Sequence, residues 1–174
     1  PKDLPWLYHE VFDPFDGNPS SYDHPSLDYG HRSWVIDAGA AEGYFSLFAL
    51  GRSPGIVVSV EPLASMKRAL AKTLALHAHG RQAVVESAAL GEHPGWAEIH
   101  VDADHACESK LLDASSPERI SSGDMTIERV PVTTIDALAM QHSLAEGGMI
   151  KMDIEGCEMS ALRGASVSPR SKRQ

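Results

Sequence analysis

The sequence predicts a single α/β domain built around a mainly parallel β-sheet. Two short apolar runs, residues 34–36 and 56–61, have the composition of buried parallel strands. Each run precedes a helical stretch, residues 44–50 and 64–79, which gives the order of a βαβ unit with right-handed crossovers. The 174 residues, 43% hydrophobic and 22% charged, suffice for one domain with a buried core.

The turn after the first strand carries the strongest indication of a binding site. Asp37 ends the strand, and the small residues Gly39, Ala40, Ala41 and Gly43 precede the helix. A backbone without large side chains can approach a ligand closely, and a helix N-terminus offers unpaired N–H groups. The pattern predicts a cradle for a nucleotide-like ligand, and the alternative is an ordinary glycine-rich turn. The spacing D-x-G-x-x-x-G differs from the G-x-G-x-x-G of pyrophosphate binders, which disfavours a nicotinamide or flavin cofactor.

An acid at the end of the second strand strengthens this interpretation. Glu61 lies 24 positions after Asp37, close to the offset of about 20 at which such an acid meets a ribose. Its two oxygens can accept both ribose hydroxyls, and its charge disfavours a ribose with a 2′-phosphate. The alternative is a solvated carboxylate at a strand end.

The second half of the chain predicts further strands and helices. Strands are expected over residues 96–101, 125–134 and 149–152, and helices over residues 134–141 and 156–164. Thr134 or Asp136 is expected to cap the first of these helices. Residues 102–124 form a polar, loop-like stretch, which is a candidate for recognising a second ligand.

The two ends of the chain have a less regular composition. Residues 1–32 contain aromatic residues among prolines, which predicts an irregular N-terminal arm that packs across the sheet or covers the ligand. Histidines and aspartates in this arm match no metal-site spacing, so solvated or capping roles are preferred and no metal site is expected. Residues 166–174 form a basic tail rich in Ser, which predicts disorder.

Charge and composition exclude several classes of partner. The net charge of −9 disfavours nucleic acid, because such binders present basic surfaces to the phosphates. The chain has neither 18 consecutive apolar residues nor a signal-peptide pattern, so no membrane partner and a cytoplasmic location are expected. Cys107 and Cys157 are too few for a disulfide framework and are interpreted as small, partly buried residues.

Five blocks of sequence, in this order and spacing, resemble the FkbM-type methyltransferases, a branch of the class I S-adenosylmethionine-dependent enzymes. The last block is the most specific, since K-x-D-x-E-G-x-E followed by L-R-G is rare outside that family. The blocks are V-I-D-A-G-A-A-E-G-Y-F-S-L (35–47), V-S-V-E-P (58–62), V-V-E-S-A-A-L-G (84–91), V-P-V-T-T-I-D-A-L (130–138) and M-I-K-M-D-I-E-G-C-E-M-S-A-L-R-G-A (149–165).

The resemblance implies S-adenosylmethionine as the cofactor and a role for each matching residue. Five residues would surround its methionine part: Asp37, Gly39, Ala40, Ala41 and Gly43. Glu61 would bind the ribose, Pro62 would border the adenine, and the segment Glu86, Ser87 and Ala88 would contact the adenine ring. Asp153 would be the catalytic residue, where the sulfonium and the acceptor meet, with His31 and His105 as weaker alternatives. Glu155 and Glu158 are interpreted as acids that stabilise the start of the following helix.

The implied fold is a Rossmann-like three-layer sandwich. Only 21 residues follow Asp153, so the last strands of the full methyltransferase fold are expected to be missing and one sheet edge open. A second copy of the chain or the N-terminal arm could cover that edge. The expected organisation is therefore an arm (1–32), an S-adenosylmethionine-binding methyltransferase domain (33–165) and a tail (166–174).

The implied activity is O-methylation of a small-molecule hydroxyl, on a sugar or a natural product. Two other hypotheses stay open. One is a non-catalytic S-adenosylmethionine-binding or oligomerisation fragment of a methyltransferase. The other, disfavoured by the glycine spacing, is a nucleotide-dependent oxidoreductase.

Overall fold

The computed structural model describes residues 4–13, 21–102, 110–111 and 125–165. The helices in these ranges are α1 (Leu4–Phe12), α2 (Tyr44–Arg52), α3 (Ala64–His77), α4 (Ile135–Gln141) and α5 (Glu158–Arg163). The strands are β1 (Trp34–Ala38), β2 (Ile56–Val60), β3 (Ala83–Glu86), β4 (Ala89–Leu90), β5 (Gly95–Asp102), β6 (Lys110–Leu111), β7 (Met125–Thr133) and β8 (Met149–Met152).

A parallel four-stranded sheet, in the order β3-β2-β1-β8, forms the centre of the molecule. Its strands are short and apolar, and β1 and β2 are buried along most of their length, as expected for a sheet covered on both faces. The chain moves from β1 outward to β3 on one side and later adds β8 on the other side. Ligands bind where the strand order reverses in this way, outside the carboxyl ends of the strands. The predicted α/β fold with a mainly parallel sheet is confirmed.

Helices cover both faces of this sheet, which gives the three layers. Alternate residues of β1 point to opposite faces, so Val35 and Ile36 belong to different cores. One core includes Phe45, Phe48, Leu70 and Leu74 of α2 and α3, and the other includes Ile135, Leu138 and Ala161 of α4 and α5.

A second sheet, in the order β4-β7-β5-β6, was not anticipated as a separate unit. The long strands β5 and β7 pair antiparallel from Gly95↔Val132 to Asp102↔Met125, while β4 joins β7 in parallel. Ile99, Val101 and Val130 form a small core with Leu63, which follows β2. The molecule is therefore parallel at its centre and mixed in this added sheet.

The N-terminal arm is not wholly irregular, and this prediction was wrong for residues 4–12. Pro5 falls in the first turn of α1, where proline is tolerated because its missing N–H would have no helical partner. Phe12 packs edge-on against Phe48 of α2 at a centroid distance of 6.2 Å. The arm thus packs on the domain, as its aromatic content predicts.

Most predicted element bounds agree with the structure within two residues. The last helix, α5, begins two residues later than predicted, at Glu158. Thr134 is the N-cap of α4, and its side chain accepts from the Ala137 N–H at 3.0 Å. The predicted tail, most of the predicted loop 102–124, His105 and Cys107 lie outside the described residues. In the described ranges, no helix has the length and apolar character needed to cross a membrane.

Candidate functional site

An open cleft lies at the carboxyl ends of β1 and β8. The turn between β1 and α2 forms one wall, and the end of β8 forms the other. Residues of the N-terminal arm also contribute to its lining. Its lining residues are Glu10, Val11, Tyr22, Gly39, Ala40, Ala41, Glu42, Tyr44, Phe45, Lys151 and Asp153.

The turn has a backbone path that requires small residues. Gly39, Ala41 and Gly43 have φ angles of 75°, 44° and 91°, in the left-handed region that favours glycine. The N–H groups of Gly39 and Ala40 both donate to the Val60 carbonyl oxygen, at 3.0 and 3.1 Å. A Cβ atom on Gly39 would overlap the Asp153 carbonyl oxygen. The absence of a side chain at Gly39 is therefore what lets the two walls meet at the base of the cleft.

The turn leads directly into the N-terminus of α2. Gly43 is the N-cap, and as a glycine it has no side chain to accept a capping hydrogen bond. Two first-turn residues, Tyr44 and Phe45, line the cleft. The helix therefore directs the positive end of its dipole toward the cleft.

Beneath the turn lies a fully buried carboxylate, Asp37. Its Oδ2 accepts from Ser46 Oγ at 2.7 Å, and Ser46 Oγ lies 2.6 Å from Ser59 Oγ. Its Oδ1 lies 3.3 Å from Lys151 Nζ. Burial raises the pKa of Asp37, and the Lys151 ammonium and the Ser46 hydrogen bond partly oppose that rise. This network is the most deeply buried polar part of the site.

Glu61 lies behind the turn and is 5% exposed. Its Oε2 accepts from the Ala41 N–H at 2.9 Å, and its Oε1 accepts from the Leu63 N–H at 2.8 Å. Burial raises the pKa of Glu61 to about 7, although both backbone hydrogen bonds act in the opposite direction. A carboxylate has about four lone-pair sites, of which these two hydrogen bonds use two.

Asp153 stands at the rim of the cleft with a side chain 64% exposed. Its backbone N–H donates to the Ala38 carbonyl oxygen at 3.0 Å, which continues the pairing of β1 with β8. Its Oδ2 lies 3.8 Å from Lys151 Nζ. Burial raises the pKa of Glu10 and raises that of Tyr22 to about 12, and the negative charge of Asp153 is the second cause of both rises.

The loop after Asp153 is held by a side chain of the following helix. Glu158 Oε1 accepts from the N–H groups of Ile154 and Gly156, at 3.2 and 3.3 Å. Hydrogen bonds from the backbone lower the pKa of Glu158. Glu158 therefore stabilises the loop between Asp153 and α5 through these two hydrogen bonds.

The structure brings some of the predicted site residues together at the cleft and leaves others outside its lining. Gly39, Ala40, Ala41 and Asp153 line the cleft. Asp37 lies directly beneath the turn, and Gly43 ends the turn as the N-cap of α2. Farther along the same sheet edge are the remaining predicted residues, Glu61, Pro62, Ser87 and Ala88, which follow β2 and β3.

Two other predicted residues point elsewhere. The Glu86 side chain accepts from His142 and Gln141 at the end of α4, at 2.7 and 2.8 Å. His31 precedes the amino end of β1, opposite to the cleft, and its Nδ1 lies 2.8 Å from Asp28 Oδ2. His31 therefore lies away from the cleft.

The sequence interpretation assigned no role to Lys151, Glu10 or Tyr22, which all line the cleft. A charged residue inside the apolar strand Met149–Met152, two positions before Asp153, was the available signal for Lys151. Within the described part of the chain, no group of three or more His, Cys, Asp or Glu side chains is arranged to hold a metal ion.

Comparison with known proteins identifies a family. The model of the Methyltransferase FkbM domain matches residues 37–173, a range that contains the turn, Glu61, Lys151 and Asp153. No curated protein and no solved structure matches the chain significantly.

The contact between the two walls can be tested at Gly39. We expect Gly39→Ala to lower the free energy of unfolding by about 2 kcal/mol or more, because it combines a left-handed φ with overlap of the Asp153 carbonyl. Gly51→Ala is the matched control, since a Cβ there meets nothing within 4 Å and alanine favours the helix. Urea unfolding measures both. Wild-type stability in Gly39→Ala would show that the turn does not depend on this close approach.

The raised pKa of Glu61 predicts a pH-dependent stability. Its pKa is about 7 in the folded chain against an ordinary value of 4.5, so folding favours the protonated form and this stabilisation is lost as pH rises through 7. Between pH 5.5 and 8 the free energy of unfolding should fall by about 2 kcal/mol more in the wild type than in Glu61→Gln. Urea unfolding across this pH range measures the difference, and parallel curves for the two proteins would contradict it.

Proposed function

Because the chain belongs to the family of FkbM methyltransferase domains, we propose that it is an S-adenosylmethionine-dependent enzyme that methylates a hydroxyl group of a small molecule, such as a sugar or a natural product. The observation that carries this proposal is the cleft at the switch point of the parallel sheet. A turn of small residues forms one wall, and an exposed carboxylate, Asp153, stands on the other.

The residues at this edge fit the cofactor in their order and chemistry. The carboxyl ends of β3, β2, β1 and β8 follow one another across the sheet. Ser87 and Ala88 would lie beside the adenine with Pro62, Glu61 would accept from the ribose hydroxyls, and the turn would hold the methionine part.

An unsatisfied buried atom in the cleft wall also favours a polar ligand. Glu42 Oε2 is buried and has no hydrogen-bond partner in the described part of the chain. Such an atom is costly unless a ligand or solvent donates to it. The amino group of the methionine part is a donor of the required kind.

The bound cofactor supplies a methyl group that its positive sulfur has already made electrophilic. The protein's contribution is then alignment of the acceptor and removal of the hydroxyl proton. Asp153 is the candidate for both tasks, because its carboxylate is solvent-accessible at the rim and its backbone is fixed by β1 and by Glu158.

A small-molecule acceptor agrees with the charges around the cleft. Glu10, Glu42 and Asp153 contribute carboxylates to the lining, and the whole chain has a net charge of −9. Such a surface repels the phosphates of nucleic acid. Tyr22 and Glu10 provide groups that can hydrogen-bond to the hydroxyls of an acceptor.

The identity of the donor can be tested by calorimetric titration. The purified chain should bind S-adenosylmethionine and S-adenosylhomocysteine with dissociation constants in the micromolar range and show no heat of binding with NAD. Binding of NAD in preference to the sulfur ligands would favour the oxidoreductase hypothesis. Absence of binding by a chain with native circular dichroism would refute the proposed function.

Two substitutions separate the proposed roles of the carboxylates. Glu61→Ala should weaken binding of S-adenosylhomocysteine by about tenfold, since it removes the acceptor for the ribose hydroxyls. Asp153→Ala should lower kcat by about 100-fold, as expected for loss of a general base, with a much smaller effect on that affinity. Turnover is measured with an acceptor found by screening hydroxylated small molecules.

Glu98→Ala, an exposed change on β5, is the control and should alter neither quantity. Equal losses of donor affinity in Glu61→Ala and Asp153→Ala would contradict this division of roles.

A further inference from the structure

Lys151 is a nearly buried cation in a strand that is otherwise apolar. Its neighbours in β8 are Met149, Ile150 and Met152, and its side chain is only 12% exposed. In the sheet register it lies beside Asp37 of β1. A desolvated lysine carries a high cost unless its ammonium is fully engaged.

The ammonium group contacts oxygens on both walls of the cleft. Nζ donates to the Gly39 carbonyl oxygen at 3.1 Å and lies 3.3 Å from Asp37 Oδ1. It also lies 3.8 Å from Asp153 Oδ2. The Phe45 ring, with its centroid 5.7 Å away, borders the same group from α2. One side chain therefore connects the end of β1, the turn and the rim carboxylate.

The contact of Lys151 with Asp37 would be enough to neutralise that carboxylate, so its contacts with Gly39 and Asp153 need a separate explanation. The bond to the Gly39 carbonyl holds the turn at the residue whose backbone touches Asp153. The approach to Asp153 draws an exposed side chain toward the base of the cleft. Both additional contacts act on groups that the proposed reaction uses.

We propose that Lys151 is a positioning residue that fixes the turn 39–43 and Asp153 relative to each other, and so sets the distance between the donor and the group that receives the acceptor proton. The effect on methyl transfer rests on the proposed function. The effect on the two walls does not, because these contacts join residues of the chain itself.

The test compares Asp37→Asn with the double variant Asp37→Asn/Lys151→Met. Lys151→Met alone would leave Asp37 buried without its charge partner and could fail to fold. The Asp37→Asn background removes that charge and retains the contacts of Lys151 with Gly39 and Asp153. The comparison therefore measures the effect of removing Lys151 when residue 37 is neutral in both proteins.

Amide hydrogen exchange of the ligand-free proteins gives the first measurement. The N–H groups of Gly39, Ala40, Ala41 and Asp153 are all hydrogen-bonded, so their exchange reports opening of the walls. We expect exchange in residues 39–43 and 153–154 to be about tenfold faster in the double variant than in Asp37→Asn. Residues 126–133 of β7 should be unchanged. If Lys151 serves only as the charge partner of Asp37, the double variant will exchange no faster than Asp37→Asn, and the proposal is overturned.

Titration with S-adenosylhomocysteine gives the second measurement. The double variant should bind about tenfold more weakly than Asp37→Asn. Equal affinities in the two variants would overturn the proposed effect on the donor. If the wild type itself fails to bind, the proposed function fails, and the exchange measurement still decides whether Lys151 joins the walls.

Discussion

The pairing of β1 with β8 is the interaction on which the candidate site depends. It places Asp37 beside Lys151 and brings the Gly39 turn against the Asp153 backbone. The two walls of the cleft meet at this pairing, since the turn that starts at Gly39 follows β1 and Asp153 follows β8. The glycine at position 39 follows from this geometry, since any side chain there would separate the two strands at the point where they meet.

Burial of charge is the cost that accompanies this arrangement. Asp37 is fully buried and Glu61 nearly so, and isolated carboxylates would be strongly destabilising in such places. Each is stabilised in a different way. Asp37 has an ammonium group and a hydroxyl as neighbours, whereas Glu61 accepts from two backbone N–H groups in the described part of the chain. Burial raises the pKa of both carboxyl groups, that of Glu61 to about 7, and raised pKa values of this kind are common where side chains serve a ligand.

Local features of the fold could be predicted because they depend on neighbouring residues. The apolar strands, the Thr134 cap and the small residues of the turn all have short-range causes. The role of Lys151 could not, because it depends on the register between strands distant in the chain. The antiparallel pairing of β5 with β7 has the same kind of cause. The prolines of the arm predict an irregular segment, but Pro5 occupies the first turn of α1, where proline does not interrupt a helix.

The separation of the two walls along the chain has a consequence for how the domain folds. Lys151 and Gly39 are 112 residues apart, and the second sheet lies between them in sequence. Closing a loop of this length carries an entropic cost before any contact is made. Strands β1 to β3 with their helices can associate through shorter connections, so the cleft is completed only when β8 docks. We therefore expect competence to bind to require this long-range docking of β8, in addition to the contacts among β1 to β3.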